Sequence, residues 1–254
     1  MTAPALPGAS ALHRALEATW PPAARLGCGP FTLREGRGGG KRVSAATLDG
    51  GRPDDAAIAR AEAAMRALDQ SPLFMIRAAD AAPHDATLDQ ALSARGYGIV
   101  DPTIFFAAPV EAVALAPRPM SLFAVWPPLA MQRQFWEEAA IGAPRQSVMA
   151  RACAPCCAFI ARHQNRAAGV AFCAIDMDTG IAMLHALEIE PGFRRQGVAR
   201  DMVRGIAHWA GDQGAAHFAL AVTERNIAAR ALYDGLGMAL AGRYHYRQSQ
   251  QEAP

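Results

Sequence analysis

Residues 188 to 199 read Glu188-Ile189-Glu190-Pro191-Gly192-Phe193-Arg194-Arg195-Gln196-Gly197-Val198-Ala199. An apolar run at 181–189 leads into this stretch, and an amphipathic segment follows it from 198 to about 213. This order predicts a strand, a tight turn and the start of a helix. The first N–H groups of a helix have no partner within the helix, and Arg194 and Arg195 add positive charge to them. The stretch therefore predicts a site for a pyrophosphate held on main-chain amides.

A second motif lies further along the chain, where residues 226 to 238 read Asn226-Ile227-Ala228-Ala229-Arg230-Ala231-Leu232-Tyr233-Asp234-Gly235-Leu236-Gly237-Met238. It resembles a signature of the GNAT acetyltransferase superfamily, Asn-x-x-Ala-x-x-Leu-Tyr-x-x-x-Gly-[Phe/Met]. The first motif resembles the acyl-CoA-binding motif of the same superfamily, [Arg/Gln]-x-x-Gly-x-[Gly/Ala], through Arg194, Gly197 and Ala199. The absence of Gly-x-Gly-x-x-Gly from the sequence disfavours an unrelated dinucleotide-binding turn.

The composition excludes several classes of protein. The chain has 254 residues, 52% of them hydrophobic and 19% charged, which is typical of a globular protein. Its formal net charge of +2 gives no reason to expect nucleic acid or a membrane surface as a partner. No apolar run approaches the roughly 20 residues that span a bilayer, and the N-terminus does not resemble a secretory signal. We expect a cytoplasmic protein, either monomeric or homodimeric.

The five cysteines predict neither disulfides nor a metal site. An odd number of cysteines among apolar neighbours is not typical of a disulfide framework. Cys153, Cys156 and Cys157 have the spacing of half a zinc site, but no second Cys/His pair accompanies them. We expect free, buried or half-buried thiols near the start of a strand, and no metal.

The sequence predicts an α/β (α+β) fold, and the resemblance implies a GNAT fold with a mixed central sheet flanked by helices. The predicted elements of the first half are strands at 31–36 and 41–47 joined by a glycine loop, a helix from Asp54 or Asp55 to about 68, a strand at 72–77, a helix at 87–95 and a strand at 97–107. The last strand, helix and strand of the first half have the same order as 218–222, 226–236 and 240–247. We therefore predict a degenerate GNAT-like domain at 1–118, without its own CoA site, and a GNAT N-acetyltransferase domain at 119–254. An unrelated α+β cap is the alternative for the first half.

The resemblance implies acetyl-CoA as the co-substrate. The donor-binding residues that it implies are Leu187, Glu188, Ile189, Arg194, Arg195, Gln196, Gly197, Val198, Ala199, Asn226 and Tyr233. The strand that ends at Ile189 is expected to diverge from the next strand, leaving a slot for the pantetheine arm. A main-chain N–H near Ile189 is expected to polarise the thioester oxygen. Solvated surface arginines and ordinary helix capping by Asn226 are the alternative interpretations of these residues.

The catalytic candidates are Tyr233, Glu188 and His185. Tyr233 matches the tyrosine that serves as general acid in the family, since a phenol holds its proton at neutral pH. Several family members carry a glutamate five residues before the asparagine, and here that position is Ala221. Glu188 and His185, on the donor strand, are the nearest replacements as general base. Because successive strand residues point to opposite faces, these two are expected on different faces. A base acting through ordered water stays open.

These observations predict an N-acetyltransferase that moves an acetyl group from acetyl-CoA to a primary amine by direct attack. The alternative is a GNAT-like sensor or interaction module that binds acyl-CoA with little turnover. A cysteine-based acyl carrier using Cys153, Cys156 or Cys157 is a third possibility. The sequence does not identify the acceptor, which could be a small amine, an amino acid, a polyamine or a peptide N-terminus.

Overall fold

The structure, a computed structural model, describes residues 5–78 and 80–249. The helices in this part of the chain are α1 (Ala9–Thr19), α2 (Asp55–Arg66), α3 (Asp85–Ala94), α4 (Val110–Val113), α5 (Ala130–Glu138), α6 (Ala143–Met149), α7 (Val198–Asp212) and α8 (Ile227–Asp234). The strands are β1 (Ala24–Cys28), β2 (Phe31–Glu35), β3 (Thr47–Leu48), β4 (Leu73–Arg77), β5 (Tyr97–Pro109), β6 (Leu122–Val125), β7 (Cys156–His163), β8 (Arg166–Asp176), β9 (Ile181–Ile189), β10 (His217–Thr223) and β11 (Ala239–Ser249).

Eight strands form one sheet in the order β4-β11-β5-β10-β9-β8-β7-β6. All neighbours in it are antiparallel except β9 and β10, which are parallel. The other three strands form a small sheet in the order β1-β2-β3, which a parallel bridge between Ala46 and Phe74 joins to β4. The predicted mixed central sheet flanked by helices is confirmed.

The two strand-helix-strand units exchange their last strands. Strand β5, from the unit β4-α3-β5, pairs along β10, with Phe106 opposite Leu220. Strand β11, from the unit β10-α8-β11, pairs with β4, with Tyr246 opposite Met75. The two exchanged strands also pair with each other at the centre of the sheet. The repeat predicted from the sequence is therefore a pair of units that complete each other's sheet by backbone hydrogen bonds.

The helices cover both faces of the large sheet. Neighbouring residues on β5 show this, because Phe106 packs with α7 and α8 while Phe105 packs with α1. On β4, Phe74 likewise packs with α2 and α3, and Met75 packs on the α1 side. Helices α2, α3, α7 and α8 thus share one face, and α1, α5 and α6 lie on the other.

Helix α7 confirms the amphipathic segment predicted from 198 to about 213. Val198, Met202 and Ile206 are buried against the sheet, whereas Trp209 is half-buried at the edge of this stripe. The helix ends at Asp212, and Gly214 follows with φ +92°, a left-handed conformation that suits glycine.

The predicted strand at 41–47 is wrong. Lys41–Val43 forms a short 3₁₀ turn, and only Thr47–Leu48 at its end is extended. Local hydrogen bonds explain the difference, because the N–H of Val43 donates to Gly40 and the hydroxyl of Ser44 donates to the same carbonyl. Burial of Val43 in the core beneath α5 and α6 holds the turn in place. Helix α1 and strand β1 were not predicted.

The predicted helix cap is confirmed at Asp54, whose carboxylate accepts the N–H of Ala57 at 2.7 Å. The short predicted helix of the first half is confirmed as α3, which Gly96 follows with φ +79°. The division of the chain into domains at 118/119 stays a prediction.

Strand exchange gives a testable expectation for a split protein. Residues 1–118 and 119–254, expressed as separate chains, should co-purify in a 1:1 ratio and unfold in one transition, because β5 pairs with β10 and β11 of the second unit and β11 pairs with β4 and β5 of the first. Their association should survive 1 M salt, which screens surface charges but leaves strand pairing intact. Analytical ultracentrifugation and calorimetry measure both properties, and two independently melting fragments would contradict the exchange.

Candidate functional site

Strands β9 and β10 form a fork. Their parallel pairing runs from Ile181 opposite His217 to Leu184 opposite Leu220 and stops there, although β9 continues to Ile189 and β10 to Thr223. A cleft of about 840 Å³ opens between the strands and is closed by the start of α7 and by α8. The expected divergence of β9 from the next strand is thus present.

A β-bulge on β9 changes which side chains share a face. His185 lies opposite Phe172 and Glu188 lies opposite Val170, so two residues of β9 face one residue of β8. Ala186, at the bulge, has φ +50°. Because Phe172 and Val170 are two residues apart on β8, His185 and Glu188 point to the same face of the sheet. The expectation that they point to opposite faces is wrong, since it assumed an unbroken strand.

The turn before α7 presents a run of free donors. The first hydrogen bond of the helix joins the N–H of Asp201 to the carbonyl of Gly197. Among the described residues, no acceptor is bound to the backbone N–H groups from Arg195 to Arg200, and no side chain caps the helix. Gly197 has φ +85°, a left-handed conformation that costs a residue with a Cβ roughly 1–2 kcal/mol. A turn of this kind binds anions through its amides.

The end of β9 is oriented by the neighbouring strand and by Arg194. The N–H of Glu190 donates to Ala168 on β8 at 3.0 Å. Because backbone groups alternate along a strand, the N–H and C=O of Ile189 point to the other edge, which is the fork. There the guanidinium Nε of Arg194 donates to the Ile189 carbonyl at 3.1 Å. The N–H of Ile189 therefore faces the fork.

Tyr233 and Glu188 both line this cleft, and the charge of Glu188 affects the pKa of Tyr233. Tyr233 is buried, with its ring against Phe106. Burial raises the pKa of its phenol, and the charge of Glu188 raises that pKa further. Burial also raises the pKa of Glu188, while the positive charge of Arg194 acts in the opposite direction. The cleft therefore holds a protonated phenol close to a carboxylate that takes up protons more readily than usual.

His185 is held by partners on both ring nitrogens. The hydroxyl of Thr19 donates to the Ala15 carbonyl at 2.6 Å, so it accepts from the Nε2–H of His185 at 2.9 Å. Nδ1 then carries the lone pair, and the guanidinium of Arg42 approaches it at 3.5 Å. Burial and the charge of Arg42 lower the pKa of His185 well below its usual value. The ring is neutral, and its remaining lone pair faces a cation.

All the predicted site residues except Gln196 line the cleft. The side-chain amide of Gln196 instead donates to the Gly192 carbonyl at 2.8 Å. Its backbone N–H still belongs to the free run. Asn226 lines the cleft and also caps α8, accepting the N–H of Ala229 at 3.1 Å. Ala221 lines the cleft as well, so the position that carries a glutamate in several family members faces the site without a carboxylate.

Sequence reasoning missed Arg42. It is the one described residue of the first half that lines the cleft, and it stands on the 3₁₀ turn that was predicted to be a strand. Its Nε is buried without a hydrogen-bond partner. No motif surrounds it, so only the packing of the two halves shows its position.

The cysteines lie elsewhere. Cys153, Cys156 and Cys157 stand at the start of β7, outside the cleft lining, and all are free thiols. Burial raises the pKa of Cys153 and of Cys157 to about 11, which disfavours the reactive thiolate that an acyl carrier needs. No group of three or more metal-ligating side chains occurs in the described part of the chain. None of the helices described there is both long and apolar enough to cross a bilayer.

Comparison with known proteins gives one family match, and residues 118–238 fit the Acetyltransferase (GNAT) family. A GCN5-related N-acetyltransferase from Kribbella flavida has a similar structure, with a TM-score of 0.68 and 17% identity over 96% of each chain. A functionally unknown conserved protein from Staphylococcus epidermidis matches with a TM-score of 0.61 and 10% identity, over 88% of this chain and 92% of that one. A tandem GNAT protein from the clavulanic acid biosynthesis pathway matches with a TM-score of 0.58 and 14% identity, over 83% and 76%. No curated protein matches by sequence.

The neutral state of His185 predicts a pH dependence of stability. Its pKa is lower in the folded state than in the unfolded state, where it is about 6.5. Below that pH the unfolded chain binds a proton at His185 and the folded chain does not. As the pH falls further, His185 therefore lowers the free energy of unfolding by up to about 1.4 kcal/mol per pH unit.

His185→Gln should remove this contribution while keeping a donor for Thr19. Urea unfolding at pH 7.5, 6.5 and 5.5 measures the free energy of unfolding of the native protein and of the variant. Burial also lowers the pKa of His13, to about 3, but His13 is present in both proteins, so its contribution cancels in the difference between them. Equal slopes in the two proteins would show that His185 titrates normally.

Proposed function

Residues 118–238 form a GNAT acetyltransferase domain, and on this basis we propose that the protein transfers an acetyl group from acetyl-CoA to a primary amine by direct attack. The family supports acyl transfer in general. The observation that carries the more specific proposal is the run of unpartnered amides from Arg195 to Arg200 beside the fork of β9 and β10. We expect the enzyme to act in the cytoplasm.

The donor would bind along the fork in two parts. The pyrophosphate would lie on the free amides at the start of α7, where Gly197 leaves the surface open and the helix dipole adds positive potential. The pantetheine amides would pair with the free edge of β9 as an added strand. The Ile189 N–H would then meet the thioester oxygen and stabilise the negative charge that develops there.

Glu188 and Tyr233 are proposed as base and acid. Glu188 suits proton removal from the amine better than His185, whose two nitrogens already have partners. The charge of Glu188 contributes to the raised pKa of Tyr233. When Glu188 takes the proton of the attacking amine, that charge disappears and the pKa of the phenol falls. Tyr233 would thus become a better proton donor to the thiolate as the thiolate leaves.

The first half is proposed as a domain without a donor site of its own, and the cap of α2 supports this. Helix α2 occupies in the first unit the position that α7 occupies in the second, directly before the first strand of the unit that exchanges. At the start of α2 the Asp54 carboxylate already accepts a backbone N–H. A protein carboxylate therefore stands where the start of α7 offers free amides, and it would repel a phosphate.

An acyl-CoA sensor with little turnover remains the second candidate, because Ala221 provides no carboxylate at the position where several family members carry one. The two proposals differ in one measurement. An enzyme releases CoA thiol when an amine is added, whereas a sensor binds acetyl-CoA and releases none.

Donor binding is tested at Gly197. Gly197→Glu places bulk and negative charge against the free amides, and acetyl-CoA affinity should fall at least about 100-fold by calorimetric titration, as expected for loss of several charge-assisted hydrogen bonds. Gly197→Asn is the matched control, since asparagine tolerates the left-handed conformation and adds no charge.

The control should retain clearly more affinity than the glutamate variant, at a similar melting temperature. Unchanged affinity in Gly197→Glu would place the donor elsewhere.

The acid is tested at Tyr233. Tyr233→Phe keeps the ring packed on Phe106 but removes the proton, so kcat should fall by about 10²–10⁴ while acetyl-CoA affinity changes little. Steady-state kinetics together with donor titration separate the two quantities.

Glu188→Gln is the comparison variant. If Glu188 is the base, the native rate should fall as the pH drops through the raised pKa of its carboxyl, and this limb should be absent from the variant. A native turnover number in Tyr233→Phe would exclude the phenol as the acid.

A further inference from the structure

A second pocket lies on the far side of the fork. It has a volume of about 270 Å³, and its lining includes the cations Lys41, Arg42 and Arg145 and the aromatic residues Trp20, Tyr244 and Tyr246. Arg42, His185 and Ala186 line both this pocket and the donor cleft. A molecule in the second pocket would therefore lie next to the point where β9 leaves β10.

Positive charge dominates this pocket. Asp101 is the one carboxylate among the described residues that line it, and it pairs with Lys41 at 2.8 Å and with Arg225 at 3.1 Å. Arg42 and Arg145 have no carboxylate within ion-pair distance in the described part of the chain. The lining thus has three cations against one carboxylate, which is already shared.

The neighbours of Arg42 include His185, whose Nδ1 lies 3.5 Å from the guanidinium, and the phenols of Tyr244 and Tyr246. His185 is neutral because burial lowers its pKa, and burial keeps the phenol of Tyr246 protonated by raising its pKa. The Arg42 Nε is buried and makes no hydrogen bond. Arg42 as a whole is half-buried, and a guanidinium partly removed from water normally pairs with a carboxylate or phosphate, because an unpaired charge away from water is costly. Its planar fork of donors matches the two oxygens of a carboxylate.

We propose that the second pocket binds the acceptor, and that the acceptor is a small amine bearing a carboxylate, of the amino-acid class, with its carboxylate on Arg42 and its amine directed through the fork. This inference rests on the proposed acetyltransferase function. Acceptor and donor would then approach Glu188 and Tyr233 from opposite sides of the fork. The excess of cations disfavours polyamines and other polycations, since like charges repel across a pocket with little water. The volume of about 270 Å³ is slightly below the usual range for ligand pockets, roughly 300–1,000 Å³, which favours a small molecule.

The test uses matched ligands that differ in one charge. A panel of free L-amino acids and their C-terminal amides is titrated into the full-length protein by calorimetry, and CoA thiol release is measured for the same compounds with acetyl-CoA. We expect the free acids to bind about 10–100-fold more tightly than their amides, the range for a charge-assisted hydrogen-bond pair. Spermidine serves as the polycation probe.

Substitutions at Arg42 test whether this residue causes the preference for free acids over amides. Arg42→Gln should abolish the ratio between acid and amide, and Arg42→Lys, which keeps the charge but loses the fork of donors, should retain part of it. Arg52→Gln, an exposed arginine outside every cavity described here, should keep the native ratio. If Arg42→Gln does not fold, the ratio of acid to amide affinity in the native protein and in Arg42→Lys still tests the inference.

The outcomes are distinct. Free acids that bind no better than amides, or spermidine that binds or reacts better than both, would overturn the inference even if acetyl-CoA binds. Acids preferred through Arg42 without any acetyl-CoA binding would support the acceptor pocket while removing the proposed acetyl transfer.

Discussion

Strand β10 has only two edges for hydrogen bonding, and the way they are used shapes the rest of the molecule. Its far edge is paired along the whole strand by β5, from Thr103 to Pro109. Its near edge is paired with β9 over the first four residues and then left free. Because β5 keeps β10 in the sheet, β9 can diverge without the sheet fraying. The first half of the chain thus holds open the fork in which the site lies, although it contributes few of the residues there.

The same half supplies the contact that sets the electrostatics of the site. Arg42 reaches the fork from the 3₁₀ turn of the first half, approaches His185 and helps to keep that ring neutral. On the other side, Arg194 offsets part of the effect of burial on Glu188, whose charge in turn acts on Tyr233. Charges from both halves of the chain therefore act on ionisable groups that line one cleft. Such coupling makes the protonation of each group depend on the state of its neighbour.

The starts of helices α2 and α7 have the same kind of backbone donors but differ in how those donors are satisfied. Each start has backbone donors that need acceptors. At α2 the carboxylate of Asp54 supplies one, so the helix is capped by its own chain. At α7 Gly197 has no side chain to do so, and the donors stay free for an anion. One helix start is therefore capped by a side chain of its own sequence, while the backbone N–H groups at the other stay unpartnered among the described residues.

The sequence by itself determined the local features of the site: the turn that ends at Gly197, the signature around Tyr233, the periodicity of α7 and the repeated strand-helix-strand order. These depend on near neighbours in the chain, whose spacing is visible as residue types. The tertiary structure alone decided the strand exchange, the bulge at Ala186 that brings His185 and Glu188 to one face, and the arrival of Arg42 at the fork. Each of these is set by pairing or packing between segments far apart in the chain. The residues concerned carry no local pattern, since a bulge or a half-buried arginine acquires its role only from the partner strand or cavity beside it.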